Sequence, residues 1–205
     1  ALGVLLEPAS VVAKAWEHVE RIGARGAAWQ PRVVLITGAG PVGLLAALLG
    51  RQRGFDLHIL DRATDGPPPE IARALGATFP PGDIRALDVA PDVVLECTGA
   101  SAVIVEVVNR IGPGGIVCLA GVSSGGHKIT LDIGLLNRSL VLENDVVFGS
   151  VNANRRHYEM GAAALAAADS AWLSRLITRR VPLAKWADAI AHEPEDVKVV
   201  LDFEA

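Results

Sequence analysis

Short apolar runs alternate along this chain with longer stretches of helical periodicity, and the alternation predicts its elements. Val33–Thr37 ("VVLIT") reads as a strand, and 41–53 as a buried helix that ends before Gly54. "DLHIL" (56–60) is the next strand. "PPPEIARALG" (67–76) is a helix opened by proline, with Gly76 placed to cap its end. "DVVLECTG" (92–99) is a strand running into a glycine turn, 100–111 a helix, and "GGIVCLAG" (114–121) another strand. The stretch 139–152 ("SLVLENDVVFGSVN") contains one more strand, and an Ala-rich helix follows from about 154 to 168. Apolar strands alternating with helices specify an α/β fold, a parallel sheet covered on both faces.

The two ends differ from this pattern. Residues 10–28 have the spacing of an amphipathic helix leading into the first strand. After about residue 170, "ITRRVPL", "AKWADAIAHEP" and "DVKVVLDF" add strand, helix and strand beyond what a wound sheet needs. The expected organisation is a lead-in helix over 1–30, a dinucleotide-binding domain over 31–170, and C-terminal elements over 171–205 that pack on another body.

Composition narrows the class. The chain is 51% hydrophobic and 20% charged, with mean hydropathy +0.36, so it has ample material for a core. A net charge of −4 and scattered basic residues argue against nucleic acid or an anionic membrane as partner. Cys97 and Cys118 lie in separate apolar runs without metal spacing and read as reduced, buried thiols. "ALGVLLEPAS" lacks the basic start and long apolar run of a secretory signal, and the expected location is cytoplasmic. Residues 33–50 carry no charge, but Gly38, Gly40, Pro41 and Gly43 interrupt them where a membrane span would have to continue.

Those glycines carry the chemistry. Gly38, Gly40 and Gly43 of "GAGPVG" have G-x-G-x-x-G spacing, follow a strand, open a helix, and are followed by Asp61 at the end of the second strand, 18 residues beyond Gly43. This is the context of a Rossmann-type dinucleotide cradle. Gly38 makes the tight turn, Gly40 lets the backbone approach a pyrophosphate, and Gly43 permits close helix–sheet packing. Pro41 suits the first helical turn, whose N-terminus favours phosphate charge, so Ala39, Pro41 and Val42 belong to the same cradle. A carboxylate at Asp61 accepts from ribose hydroxyls and repels a 2′-phosphate, favouring NAD. Arg62 is placed either to hold that phosphate or to sit in solvent.

Other signals are weaker. "GVSSG" (121–125) matches the nucleophile elbow of hydrolases, but no helical pattern follows Ser123, as the elbow requires. Arg155, Arg156 and His157 open a helix, where positive charge is unfavourable. They point to a nearby anion or to a solvated face. His18, His58, His127 and His192 show no spacing that suggests a metal or a base.

"LLEPASVVAKAWEH", "ITGAGPVGLLAALL", "LDRATDGPPPE", "FGSVNANRRHYE" and "DVKVVLDF" resemble the zinc-dependent glucose 1-dehydrogenases of the medium-chain dehydrogenase/reductase superfamily, along nearly the whole chain. The resemblance implies hydride transfer from C1 of β-D-glucose to NAD or NADP, with zinc as Lewis acid. It assigns the zinc site and most sugar contacts to an N-terminal barrel-like domain, whose "GHE"-type segment and cysteine-rich lobe do not occur in these 205 residues. The chain is thus expected to be the cofactor domain, with no catalytic residue of its own and a homo-oligomer as the full-length assembly.

Carried over to this sequence, Glu7 of "LLEP" corresponds to the carboxylate near the zinc, as ligand or neighbour. Asn152 matches the asparagine that reaches nicotinamide and sugar. Ser150 and Val151 line the same wall, together with Leu119, Ala120 and Gly121 of the preceding strand, and Thr98 faces the adenosine-side ribose or the cofactor cleft. Two other readings stay open: a related polyol or alcohol dehydrogenase, and a non-catalytic dinucleotide-sensing module.

Overall fold

Parallel pairing of five short apolar strands gives the sheet its order. The computed structural model describes residues 2–27, 29–80, 84, 87–88, 90–126, 128–191 and 193–204. Strands β1 (Val33–Thr37), β2 (Asp56–Leu60), β3 (Val93–Glu96), β4 (Ile116–Leu119) and β5 (Val146–Gly149) lie in the order β2-β1-β3-β4-β5. All four pairings are parallel, and Thr37 stands opposite both Leu60 and Glu96. A single parallel bridge between His58 and Thr78 extends the sheet beyond β2. The chain leaves β1 to one side for β2 and returns on the other for β3. That reversal is the switch point where doubly wound sheets leave a crevice at their carboxyl edge.

Helices cover both faces, as the apolar strands require. One core joins Val34, Ile36, Leu57, Ile59, Val93, Leu95, Ile116 and Cys118 to α1 (Leu6–Gly23), α2 (Pro41–Gln52), α3 (Pro67–Ala74) and α7 (Ser170–Arg175), with the inner side of α6 (Arg155–Ala166) against it. The opposite core joins Leu35, Val94 and Val117 to Val107 and Val108 of α4 (Ser101–Arg110), with Leu136 of α5 (Ile133–Glu143) at its edge. Trp16 of α1 is fully buried, stacks on Phe55 at 5.2 Å and donates its indole N–H to the Ala46 carbonyl. Trp172 of α7 donates in the same way to the Ile71 carbonyl of α3. Each indole thereby buries a large apolar area with its polar atom satisfied.

Several expected boundaries move. The lead-in helix runs over Leu6–Gly23 rather than 10–28, so Glu7 and Pro8 lie within its first turn, where a missing N–H costs little. The Trp29 ring packs against its last residue; a Cβ on Gly23 would stand 2.1 Å from that ring. The stretch 139–152 begins as helix: α5 continues to Glu143, and only Val146–Gly149 is strand. Helix α7 interrupts the expected passage from Ala-rich helix to C-terminal strand. The final helix is shorter than 184–194: a 3-10 turn (Leu183–Lys185) and then α8 (Trp186–Ile190). Strands β6 (Ile177–Pro182) and β7 (Lys198–Asp202) pair in parallel as a separate two-stranded sheet. His127 and His192 lie outside the described residues.

Candidate dinucleotide site

The first glycine turn is held from two sides. Gly38 adopts φ +90°, a conformation that suits glycine, and its N–H donates to the Leu60 carbonyl at 2.7 Å. A Cβ on Gly43 would fall 1.8 Å from the Gly38 carbonyl oxygen, so the absence of that atom lets α2 pack onto the turn. Gly40 is different: no heavy atom lies within 4 Å of where its Cβ would be. Its surface is left open at the N-terminus of α2, where Pro41 begins the helix and no side chain caps it. Uncapped amides beside open space are what an incoming phosphate needs, so this cradle fits a dinucleotide.

A crevice of about 420 Å³ opens over the cradle, lined by Thr37, Gly38, Gly40, Leu60, Asp61, Arg62, Cys97, Thr98, Ala100 and Val103. It spans the switch point between β1 and β3. Asp61 follows β2, and its Oδ2 accepts from the Ala39 N–H at 2.6 Å while Oδ1 accepts from the Ala63 N–H at 2.9 Å. The expected ribose acceptor is therefore also a brace of the glycine loop. Arg62 is exposed and forms no ion pair among the described residues.

Beneath the crevice lies a residue that sequence reasoning did not single out. Glu96, the last residue of β3, is fully buried. Its carboxylate accepts from the Thr37 hydroxyl at 3.2 Å, the Thr98 N–H at 2.7 Å, the Thr98 hydroxyl and the Gly99 N–H at 3.1 Å. Every partner is a donor, so the carboxylate oxygens find their hydrogen bonds within the turn. The signal was a lone acid within the apolar run "DVVLECTG". Thr98 spends its hydroxyl proton on Glu96 and accepts from the Ala100 N–H, so toward the crevice it offers chiefly methyl and backbone.

At the ends of β4 and β5 the structure gathers the remaining expected residues. The Ala120 and Gly121 N–H groups both donate to the Glu96 carbonyl at 2.8 Å, and the Ser150 N–H donates to the Leu119 carbonyl. A Cβ on Gly121 would stand 2.2 Å from the Gly99 nitrogen, so this glycine serves backbone packing. Ser150 is buried and its hydroxyl oxygen has no partner among the described residues. Val151 is exposed, and Asn152 adopts φ +61°. Ser123 donates to the Gly99 carbonyl at 2.7 Å and the next helix begins only at Ile133, so "GVSSG" forms no nucleophile elbow.

Glu7 stands apart from the crevice on the first turn of α1, exposed, with its carboxylate unpaired among the described residues. No three His, Cys, Asp or Glu come together among those residues. A zinc site needs at least three protein ligands, so the described part of this chain does not hold one; Glu7 could contribute a single oxygen. Cys118 is buried, which pushes its thiol up to about 12, and the thiol of Cys97, a half-buried residue at the crevice wall, is also raised, by desolvation first and by the neighbouring Glu96 charge second. A hollow of about 580 Å³ at the opposite, amino-terminal edge of the sheet includes Asp92, whose Oδ2 is already spent on the Arg32 and Val33 N–H groups.

The anion suggested by the basic start of α6 is Glu17 of α1, 8% exposed. Its Oε2 lies 2.8 Å from His157 Nε2, and Arg156 and Arg21 also reach its carboxylate. His157 Nδ1 accepts from the Asn154 N–H, so the proton sits on Nε2 and faces Glu17. That hydrogen bond, with the arginines, holds the Glu17 carboxyl below its usual range despite burial.

Comparison with known proteins agrees with this geometry. The family described as "Glucose dehydrogenase C-terminus" matches residues 1–203. A glucose 1-dehydrogenase of Vulcanisaeta moutnovskia is 36% identical over 98% of this chain and 59% of its own length. One from Thermoproteus tenax is 37% identical over 98% of this chain and 58% of its own. Among solved structures, glucose dehydrogenase of Haloferax mediterranei in complex with NADP, Zn and gluconolactone superposes with a TM-score of 0.89 at 29% identity, over 100% of this chain and 59% of that one. An alcohol dehydrogenase of Thermotoga maritima shares the fold at 22% identity and TM-score 0.77. The chain thus spans about three-fifths of the length of the relatives it matches. No helix among the described residues is long and apolar enough to cross a membrane.

Proposed function

The chain belongs to the glucose dehydrogenase C-terminal family, and from that premise we propose that it is the NAD(P)-binding part of a glucose 1-dehydrogenase. The whole protein would transfer a hydride from C1 of β-D-glucose to the cofactor and release gluconolactone. The observation that carries this reading is the open, uncapped glycine turn at Gly38–Gly43 facing Asp61 across the β1–β3 switch point. The Haloferax relative, solved with NADP, Zn and gluconolactone, supports the chemistry.

Each residue then has a task. The backbone at Gly38–Gly43 and the N-terminus of α2 hold the pyrophosphate. Asp61 meets the adenosine ribose and Arg62 stands ready for a 2′-phosphate. Glu96 fixes the turn at Thr98–Gly99 that floors the crevice. Leu119, Ala120, Gly121, Ser150, Val151 and Asn152 form the nicotinamide-side wall, and Asn152 also faces sugar. The nicotinamide ring, when bound, supplies the hydride acceptor. Glu7 would give one oxygen to a zinc site completed by other residues of the protein.

The lead-in over 1–30 and the elements over 171–205 are read as the parts that face the catalytic domain. Trp186, Ile190 and Phe203 are 56%, 71% and 76% exposed, an apolar surface suited to such packing. Helix α5 exposes Ile133, Leu135, Val141 and Leu142 beside the edge strand β5, which favours a homo-oligomer through this edge. No role for nucleic acid or membrane is proposed, and the cytoplasm is the proposed location. Calorimetric titration of this chain with NAD+ and NADP+ tests the central reading. Saturable binding of either supports it, and binding of neither would remove it.

A further inference from the structure

Helix α1 carries a stripe that runs along the exit of β5. Glu7, Lys14 and His18 fall at i, i+7 and i+11, on one face of the helix. The His18 ring packs on Phe148 of β5 at 6.1 Å between centroids, and Lys14 Nζ donates to the Val151 carbonyl at 2.7 Å. One turn further along, Glu17 locks the helix to His157 and Arg156 of α6. The base of Lys14 is therefore fixed, and its ammonium reaches the corner at Ser150–Asn152 from outside the sheet.

Two features mark that corner. Asn152 holds a left-handed backbone with φ +61°, which a non-glycine residue adopts at a cost. Ser150, two residues earlier, keeps a buried hydroxyl without a partner among the described residues. A strained residue beside an unsatisfied polar atom describes a corner shaped for something it receives.

We propose that Lys14 is a positioning residue for the nicotinamide half of the cofactor: by holding the Val151 carbonyl it keeps Asn152 in its left-handed conformation and aims the Ser150–Asn152 corner at the ring. The proposal rests on the dinucleotide reading above and extends it to a residue on a different helix. It also ties the nicotinamide wall to Glu7, which lies two helical turns, about 10 Å, earlier on the same face of α1. One rigid helix thereby sets the distance between the metal-side carboxylate and the residue that faces sugar.

The test separates the two halves of the cofactor. NADH and ADP-ribose are titrated into the wild-type chain and into Lys14→Met and Lys14→Arg, with NADPH and 2′-phospho-ADP-ribose as the phosphorylated pair. Lys14→Met is expected to weaken the nicotinamide-bearing ligands by roughly five- to tenfold, the scale of one exposed hydrogen bond, and leave the ribose ligands within about twofold. Lys14→Arg, which keeps a cationic donor, should restore most of the difference. Equal weakening of both ligand classes would mean a general structural role and overturn the proposal, as would an unchanged nicotinamide affinity. A wild-type chain that binds none of the four ligands would overturn the dinucleotide reading itself.

Discussion

Asp61 Oδ2 and the Ala39 amide lie 2.6 Å apart, so the acid expected to choose the cofactor also holds the glycine loop. Replacing it should therefore have two effects. Asp61→Ser removes the negative charge facing a 2′-phosphate and leaves Arg62 unopposed, which raises affinity for NADP+ relative to NAD+. It also frees the Ala39 amide, so affinity for both cofactors falls through loosening of the loop. Wild type should bind NAD+ at least as well as NADP+. In Asp61→Ser the ratio should move roughly tenfold toward NADP+, about 1.4 kcal/mol, the scale of one hydrogen bond to a charged group. Calorimetry with both cofactors measures it. Tight NADP+ binding with no NAD+ binding in wild type would assign the choice to Arg62 instead.

Two glycines in the same loop should respond in opposite ways. Gly40 has open space where its Cβ would be and an ordinary φ of −74°. Gly40→Val should leave the melting temperature within a few degrees of wild type while abolishing dinucleotide binding, because the branched side chain occupies the path of the pyrophosphate. A Cβ at Gly43 would meet the Gly38 carbonyl at 1.8 Å. Gly43→Ala should instead destabilise the fold by about 3 kcal/mol through overpacking. Thermal melts and cofactor titrations on the two variants distinguish them, and unchanged affinity in Gly40→Val would remove the cradle assignment.

Acid stability follows from α1. Glu17 has a folded pKa below the ordinary carboxylate value, owing chiefly to the His157 hydrogen bond. Its contribution is present above the unfolded value and lost as pH falls through the folded one. His18 is also held below its usual 6.5, by burial first and by Lys14 second. A depressed histidine favours the neutral form, so its contribution is present above about pH 6.5 and is lost as pH falls through its folded value. The melting temperature should decline in two stages on acidification. His18→Gln should flatten the first stage, which sets in as pH falls below about 6.5. Glu17→Gln should flatten the second, below about pH 4.5, and lower stability at neutral pH by about 2 kcal/mol, because His157 and Arg156 lose their anion. A single-stage profile identical in all three proteins would contradict this account.

The sequence legibility of these parts varied for physical reasons. Strand β1, the glycine turn and α2 were readable because short-range rules govern them: apolar period, turn glycines, and Pro41 at the first helical position. Gly76 was readable too, and its φ of +81° follows the α3 end it was expected to cap. Helix α5 was not predicted, because none of its residues is buried and no helical stripe marks it. Its signals were local instead: Asp132 caps the Leu135 N–H, and Asn144 closes the helix with φ +61°. Glu17 and Lys14 were missed for another reason. Their partners lie far away in sequence, as with Glu17 and His157, 140 positions apart. Only the folded chain brings such groups together.

The 205-residue chain should bind a dinucleotide yet not oxidise glucose. Hydride transfer requires the sugar C1 held against the nicotinamide, a positioning task that supplies several kcal/mol of the barrier reduction. It also requires a group that takes up charge from the sugar hydroxyl. On the proposed reading, Glu7 and Asn152 are the residues of this chain that face metal or sugar. Glu7 is exposed and alone among the described residues, and one carboxylate does not make a site that needs three protein ligands. Metal analysis of the purified chain should therefore find no stoichiometric zinc, and a 340 nm assay with glucose and NAD(P)+ should stay at background. A longer protein that adds a zinc-ligating domain before this one should contain zinc and turn over glucose. Glu7→Ala in that protein should weaken both, while dinucleotide affinity remains near wild type because Glu7 lies outside the crevice. Zinc-dependent turnover by the 205 residues alone would show that this chain carries the catalytic groups itself, and the proposed division of labour would fall.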